Sequence, residues 1–269
     1  MPSYTVTAVT IGTFALGESD KILTLFTAER GPVRAVAKGA RKPGAKISGR
    51  SDVLDVNKLL VNTGRSLDII TQSEGVETFR PLRQDLERLS YCLYYAELTQ
   101  FFGQGLAEES ELYFEFLINS IRQQSEKSAD ACLLCLEFEL SMLDLLGLKP
   151  ELDACVTCRT PLTDHLLADF HYELGGIVCQ RCSGQTLAVR ETGRGYSGSN
   201  FGRGSQSIHI TPLVWKRLVL ASQGQVHESS SNTTTNLERA NQAARRVTQS
   251  YIEHRAGRRM KSLDLISQL

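Results

Sequence analysis

The sequence predicts an α+β protein, with strands over roughly the first eighty residues and helices after them. Three observations carry this. Residues 4–79 break into five short apolar or alternating runs, spaced roughly a dozen residues apart and separated by turn residues. From Pro81 the apolar residues recur at helical spacing, beginning with Leu82, Leu86, Leu89 and Leu93. Further on, two Cys-x-x-Cys pairs, Cys155/Cys158 and Cys179/Cys182, stand twenty residues apart. The predicted segments are a barrel over 1–80, the first part of a helical domain over 81–150, a cysteine module over 151–188, and a loop with closing helices over 189–269.

Tyr4–Ile11 alternates apolar or small residues with threonine, and Gly17 to Asp20 forms a turn. Ile22–Phe26 is a short apolar run. Glu29 to Pro32 turns the chain again, into an alternating run at Val33–Lys38. Val53–Val61 and Leu67–Gln72 follow, separated by a turn from Asn62 to Arg65. Five strands closing on themselves fit an OB-type barrel, which binds single-stranded nucleic acid on one face and its loops. SH3-like barrels share the same pattern.

Charge adds to this. The chain has thirty basic and thirty acidic residues, yet Arg30 to Arg50 holds seven cations and no carboxylate. Alternation puts Arg34 and Lys38 on one strand face, with Val33, Ala35 and Ala37 on the other. Gly39, Pro43, Gly44 and Gly49 break the strand, so Arg41, Lys42 and Lys46 are expected on a mobile, exposed loop that runs on to Arg50. Cations without internal partners suit a polyanion, because they release counterions condensed on phosphates. A loop kept soluble by its charge has the same composition. Overall neutrality argues against a histone-like coating protein and allows one basic face.

The helical stretch from Pro81 runs through Tyr94, Leu98, Phe101 and Phe102 and ends at Gly103 and Gly105. Leu112–Ile121 and Ala131–Leu146 are the next two helices, the last stopped by Gly147 and Pro150. They are apolar enough to require packing on one another. Tyr91, Tyr94, Tyr95, Phe101 and Phe102 read as core rather than as a stacking platform. Cys132 and Cys135 lie on one leucine-rich helical face and Cys92 lies within a helix, so all three read as buried small hydrophobes.

The four remaining cysteines have the spacing of a tetrahedral zinc site. Two-residue knuckles let both sulfurs of each pair face one ion at about 2.3 Å, and the intervening stretch is right for a hairpin. Gly175 and Gly176 supply the permissive turn. His165 and His171 are possible ligands, but Cys155, Cys158, Cys179 and Cys182 fill the shell without them. A full shell of four thiolates leaves no position for substrate, so the zinc is expected to be structural. No HExxH, paired acids or Ser/His/Asp arrangement is present, so no enzyme activity is predicted.

Gly193–Ser207 reads as a flexible tether with scattered arginines and aromatics, or as a plain insertion. Thr211–Ala221 is a helix opening on Thr-Pro. Asn236–Arg255 is another, after a polar loop. It carries Arg239, Arg245, Arg246 and Arg255, and Arg258, Arg259 and Lys261 extend this second basic cluster. No window of eighteen apolar residues spans a membrane, and the amino end lacks the basic and apolar regions of a signal peptide. A cytoplasmic protein is expected, with the odd count of seven cysteines favouring metal ligands and core thiols over disulfides.

The stretches GESDKILTLFTAERGPVRAVAKGARK, LLGLKPELDACVTC and GGIVCQRC, with a closing KSLDLI, resemble the DNA recombination and repair protein RecO family. The resemblance covers about Tyr4 to Ala221 and the last twenty residues. It implies an amino-terminal OB-type barrel and an α-helical domain with an inserted four-cysteine zinc module. It also implies a bacterial, nucleoid-associated recombination mediator without enzyme activity. Such a protein binds single- and double-stranded DNA, anneals complementary strands, and acts with SSB and RecR to load RecA in the RecF pathway. The family's DNA-binding cations carry over to Lys38, Arg41 and Lys42. Arg34, Lys46 and Arg50 join them on charge and periodicity alone. A zinc-stabilised protein-interaction scaffold that touches DNA incidentally is the alternative. The stretch GRGYSGSNFGRGS is not part of the family's pattern.

Overall fold

A computed structural model of the chain describes residues 2–45, 47–164, 167–183, 207–225 and 234–262. The chain divides into two compact units. One runs through Ala131 and takes back the chain from Met260; the other holds Cys132–Arg259.

In the first unit, β1 (Ser3–Leu16), β2 (Asp20–Thr27), β3 (Gly31–Ala37), β4 (Val56–Asn62) and β5 (Asp68–Glu77) close into a barrel in the order β1-β2-β3-β5-β4. The β3–β5 pair is parallel and the others antiparallel. Strand alternation builds the core: Val6, Ala8, Leu23, Leu25, Ala35, Ala37, Leu59, Val61 and Ile70 all point inward. β1 serves two neighbours, pairing with β4 over Ser3–Val9 and with β2 over Ala8–Leu16. A register shift between Thr10 and Gly12 lets it bend from one partner to the other. Two strands are longer than their sequence runs, β1 reaching Leu16 and β5 reaching Glu77. One is shorter: the chain from Val53 to Asp55 turns, with Leu54 at φ 76°, and β4 starts at Val56.

Two helices complete this unit. α1 (Leu86–Phe102) starts on Asp85, whose carboxylate accepts from the Arg88 amide, and the Gln100 amide reaches back to donate to the Ile11 carbonyl of β1. Tyr91, Tyr94 and Tyr95 are buried, as their helical spacing indicated, whereas Phe101, read as core with them, is exposed at the end of α1 and Phe102 is half-buried. α2 (Ser110–Glu126) contributes Tyr113, whose ring meets Phe26 of β2 edge-on at 5.0 Å and whose hydroxyl lies 2.8 Å from that of Thr99. Buried Gln124 donates to the Tyr95 hydroxyl and the Ala131 carbonyl, both at 2.9 Å. The returning segment is tied to α1 by the Glu97 carboxylate, which accepts from the amides of Lys261 and Ser262.

The second unit contains α3 (Ala131–Leu145) and a three-stranded antiparallel sheet in the order β7-β6-β8, from β6 (Leu167–His171), β7 (Gly176–Cys179) and β8 (Ser207–His209). Two helices follow, α4 (Pro212–Ser222) and α5 (Thr234–Ala256). Cys132 and Cys135 are buried in α3, and Cys92 is buried in α1. Glu139, also buried in α3, accepts from the Thr248 hydroxyl of α5. The Trp215 indole donates to the Leu152 carbonyl at 2.8 Å, and the Tyr251 hydroxyl to the Leu148 carbonyl at 3.0 Å. By compact unit, α1 and α2 fall with the barrel and nearly all of α3 with the second unit. The tether stretch 193–206 lies outside the described residues.

Candidate nucleic-acid interface and metal centre

The basic strand is β3. Ala35 and Ala37 point into the barrel, so Arg34 and Lys38 stand outside it and are exposed. Beyond Ala37 the chain reverses at Gly39, which takes φ 71°, a conformation that a side chain would strain. The loop that follows is exposed over 41–44, as its glycines and proline indicated, and its first residues are tied to the β1–β2 turn. The Gly39 amide donates to Asp20 Oδ1 at 2.8 Å, the Arg41 amide to the Ser19 carbonyl at 2.9 Å, and the Arg41 guanidinium to the Gly17 carbonyl at 2.5 Å. The β1–β2 turn therefore sets the position of Arg41 and Lys42. Asp20 is the positioning residue that sequence reasoning missed; its only signal was membership of that turn. The bond from the Gly39 amide, then the Ser19 hydroxyl, then the fields of Lys38 and Lys42 hold its carboxyl below the usual range.

Arg34, Lys38, Arg41 and Lys42 form one exposed group, and none makes an ion pair among the described residues. Arg50 differs. It is half-buried, its guanidinium donates to the Ser73 carbonyl of β5, and its own carbonyl accepts from Asn57 at 3.1 Å. Lys46 lies outside the described residues. In the carboxyl-terminal cluster Arg239, Arg246, Arg255, Arg258, Arg259 and Lys261 are exposed, while Arg245 is half-buried. The Arg255 guanidinium sits over the Tyr251 ring at 5.0 Å.

The second site is built on two turns. The Cys155 amide donates to the Thr160 carbonyl at 2.9 Å and the Arg159 amide returns to the Cys155 carbonyl at 2.9 Å, closing the first knuckle. Arg159 itself adopts a positive φ of 60°. In the second knuckle Cys179 ends β7, and a helical turn over 180–183 brings Cys182 round beside it. The two are drawn together by bonds from the Val156 amide to the Ile177 carbonyl and from the Ile177 amide to the Glu151 carbonyl. Gly176 permits this approach, since a Cβ there would fall 2.5 Å from the Glu151 carbonyl oxygen.

The four sulfurs of Cys155, Cys158, Cys179 and Cys182 lie within 4.8 Å of one another. Cys158 and Cys179 are 3.8 Å apart. Four thiolates at about 2.3 Å from one tetrahedral ion would be separated by about 3.8 Å, so the donor set fits a structural metal. The Cys179 amide donates to Cys155 Sγ at 3.3 Å, and the Thr160 hydroxyl lies 3.3 Å from Cys158 Sγ. That hydroxyl, with the Thr160 amide, holds the Cys158 thiol down to about 5. Burial, then bonds to Cys158 and Cys179, pushes Cys182 up to about 12. A bound cation would take all four as thiolates. His171 is buried, and its Nδ1 accepts from the Leu174 amide at 3.4 Å in the β6–β7 turn. His165 lies outside the described residues.

Fold and sites together define a class: a closed five-stranded barrel with an exposed cationic edge, joined to a unit with a four-cysteine metal cluster. Residues 1–79 match the family described as Recombination protein O N terminal, and residues 83–194 match Recombination protein O C terminal. The DNA repair protein RecO of Pelotomaculum thermopropionicum is 37% identical over 182 residues, 68% of this chain and 69% of that protein. The DNA repair protein RecO of Gloeobacter violaceus is 38% identical over 181 residues, 67% of this chain and 69% of that one. The DNA repair protein RecO of Symbiobacterium thermophilum is 30% identical over 273 residues, 100% of this chain and 98% of that protein. The chain belongs to the RecO family.

Proposed function

We propose that this protein is a DNA repair and recombination mediator that works by binding and not by catalysis. It holds single- and double-stranded DNA on the edge formed by β3 and the loop after it, and it anneals complementary strands. With SSB and RecR it helps to load RecA on SSB-coated DNA in the RecF pathway, in the bacterial cytoplasm. The observation that carries this reading is the group of four exposed cations, Arg34, Lys38, Arg41 and Lys42, with no carboxylate in ion-pair contact among the described residues. Annealing needs a surface that offsets the repulsion of two phosphate backbones and leaves their bases accessible, and such a group supplies it. The metal is zinc, and its role is structural: four thiolates complete the shell, so neither water nor substrate has a coordination position.

The deciding experiment is annealing of SSB-coated complementary strands, comparing the parent chain with a K38A/R41A/K42A variant. The variant is expected to anneal at a small fraction of the parent rate while binding SSB and RecR normally. Equal annealing by the two would favour a protein-interaction scaffold that meets DNA incidentally.

A further inference from the structure

The outer face of the barrel carries an unusual aromatic. Phe14, near the end of β1, is 70% exposed, more than any other large apolar residue among the described residues. Strand register explains what surrounds it. Phe14 pairs with Ile22 of β2, Ile22 with Val36 of β3, and Val36 with Ile69 of β5. The neighbouring row, Leu23 with Ala35, is inside the barrel, so the Phe14 row is outside. An apolar stripe thus crosses four strands on the solvent face, with Ile22, Val36 and Ile69 half-covered and the phenyl ring at its open end. Arg34 and Lys38 lie two residues to either side of Val36, Arg34 on the same face of β3 and Lys38 in the turn just beyond its end, and both are exposed. Strands stand about 4.8 Å apart, so the ring is roughly 10 Å from the β3 backbone, a gap that long cationic side chains reach across.

A lone exposed ring raises the question of its occupant. Charge decides it here: the stripe is bordered by the cations that face phosphate in the reading above, on which this inference rests. The geometry points to Phe14 as a stacking platform for an unpaired base of single-stranded DNA, with Ile22 and Val36 flooring the track and Arg34 and Lys38 holding the backbone beside it. A ring stacked this way reads single strands and not duplex, whose bases are already stacked on one another. The cations serve both forms, so the barrel separates a charge term common to all DNA from an aromatic term for single strands alone.

The test measures affinity for oligo-dT and for a blunt duplex over a range of salt, for the parent chain, F14A and F14Y. F14A is expected to weaken oligo-dT binding about tenfold with an unchanged salt slope, to leave the duplex unaffected, and to keep the parent's melting temperature. F14Y should restore oligo-dT affinity, because a phenol stacks as a phenyl does. Equal loss on oligo-dT and duplex, or no loss on either while the parent still binds, overturns the platform and leaves the cationic edge standing. Loss of SSB or RecR binding by F14A with DNA affinity intact also overturns it, and makes the ring a protein anchor. A parent that binds neither oligonucleotide refutes the DNA-binding reading itself.

Discussion

Removing three cations from the barrel edge tests the reading quantitatively. In K38A/R41A/K42A the lost side chains are exposed. The bond from the Arg41 guanidinium to the Gly17 carbonyl is lost, but those from the Gly39 amide to Asp20 and from the Arg41 amide to the Ser19 carbonyl remain available. Surface changes of this kind alter stability by about 0.5 kcal/mol or less, so the variant should fold. If Arg34, Lys38, Arg41 and Lys42 each neutralise one phosphate of a single strand, log K falls with log salt at a slope of about −2.8. Arg34 alone would leave a slope of about −0.7. Between about 50 and 200 mM salt the parent then loses about 50-fold in affinity, the variant only about 3-fold. Fluorescence anisotropy of a labelled oligo-dT, titrated at several salt concentrations, reads both slopes. Parallel lines for the two proteins would refute the reasoning, since they would place the neutralising groups elsewhere, the arginine cluster of α5 first. An R50A variant is the internal contrast. Its guanidinium is committed to the Ser73 carbonyl, so its loss should lower the melting temperature and leave the slope at the parent's value of about −2.8.

Four further outcomes are expected. Mass spectrometry under native conditions should find one zinc per chain, and a C179S variant should lose it. Chelation should raise amide exchange over residues 151–183 while β1–β5 stay protected, because structural zinc supplies ~10–16 kcal/mol where it closes such a site. Gly176→Ala should destabilise the second unit by about 1–3 kcal/mol in urea, since its Cβ would meet main-chain oxygen of Glu151 at 2.5 Å; an unchanged midpoint would refute the close approach. Asp20→Ala should lower the melting temperature by a constant amount at neutral and mildly acid pH. The folded carboxyl is held below its ordinary 3.8, so its contribution is complete above that value and is lost as pH falls through the lower folded one. Curves for D20A and parent should therefore converge only below about pH 4, and convergence nearer neutrality would contradict the assignment.

Some features follow from local chemistry, and these the sequence alone determined. Alternation at Ala35 and Ala37 marks one face of β3 as apolar, and those residues fill the barrel with Leu23 and Leu25 from the apolar run of β2. Glycine and proline placed the β1–β2 and β2–β3 turns. The Cys-x-x-Cys spacing selected the four thiols that now lie within 4.8 Å, and the leucine-rich surroundings of Cys132 and Cys135 set those two aside as core. Each of these depends on neighbours a few residues away, where side-chain period and turn chemistry act directly.

Other features depend on which distant segment a residue meets, and only the tertiary structure decided them. Arg41 and Arg50 look alike in the basic run and each donates to a main-chain carbonyl, yet Arg41 does so exposed, at the β1–β2 turn, and Arg50 half-buried, against β5. β1 continues to Leu16 because Asp20 and Lys21 of β2 are there to pair with Leu16 and Ala15, a fact of register that no run of apolar residues records. The chain divides at the start of α3, although α3 is as leucine-rich as a core helix of either unit would be. Phe14 ends a strand like many others until Ile22, Val36 and Ile69 line up beside it from three other strands. The physical reason is common to these cases: periodicity states which residues share a face, whereas contact with segments distant in sequence states what that face looks onto.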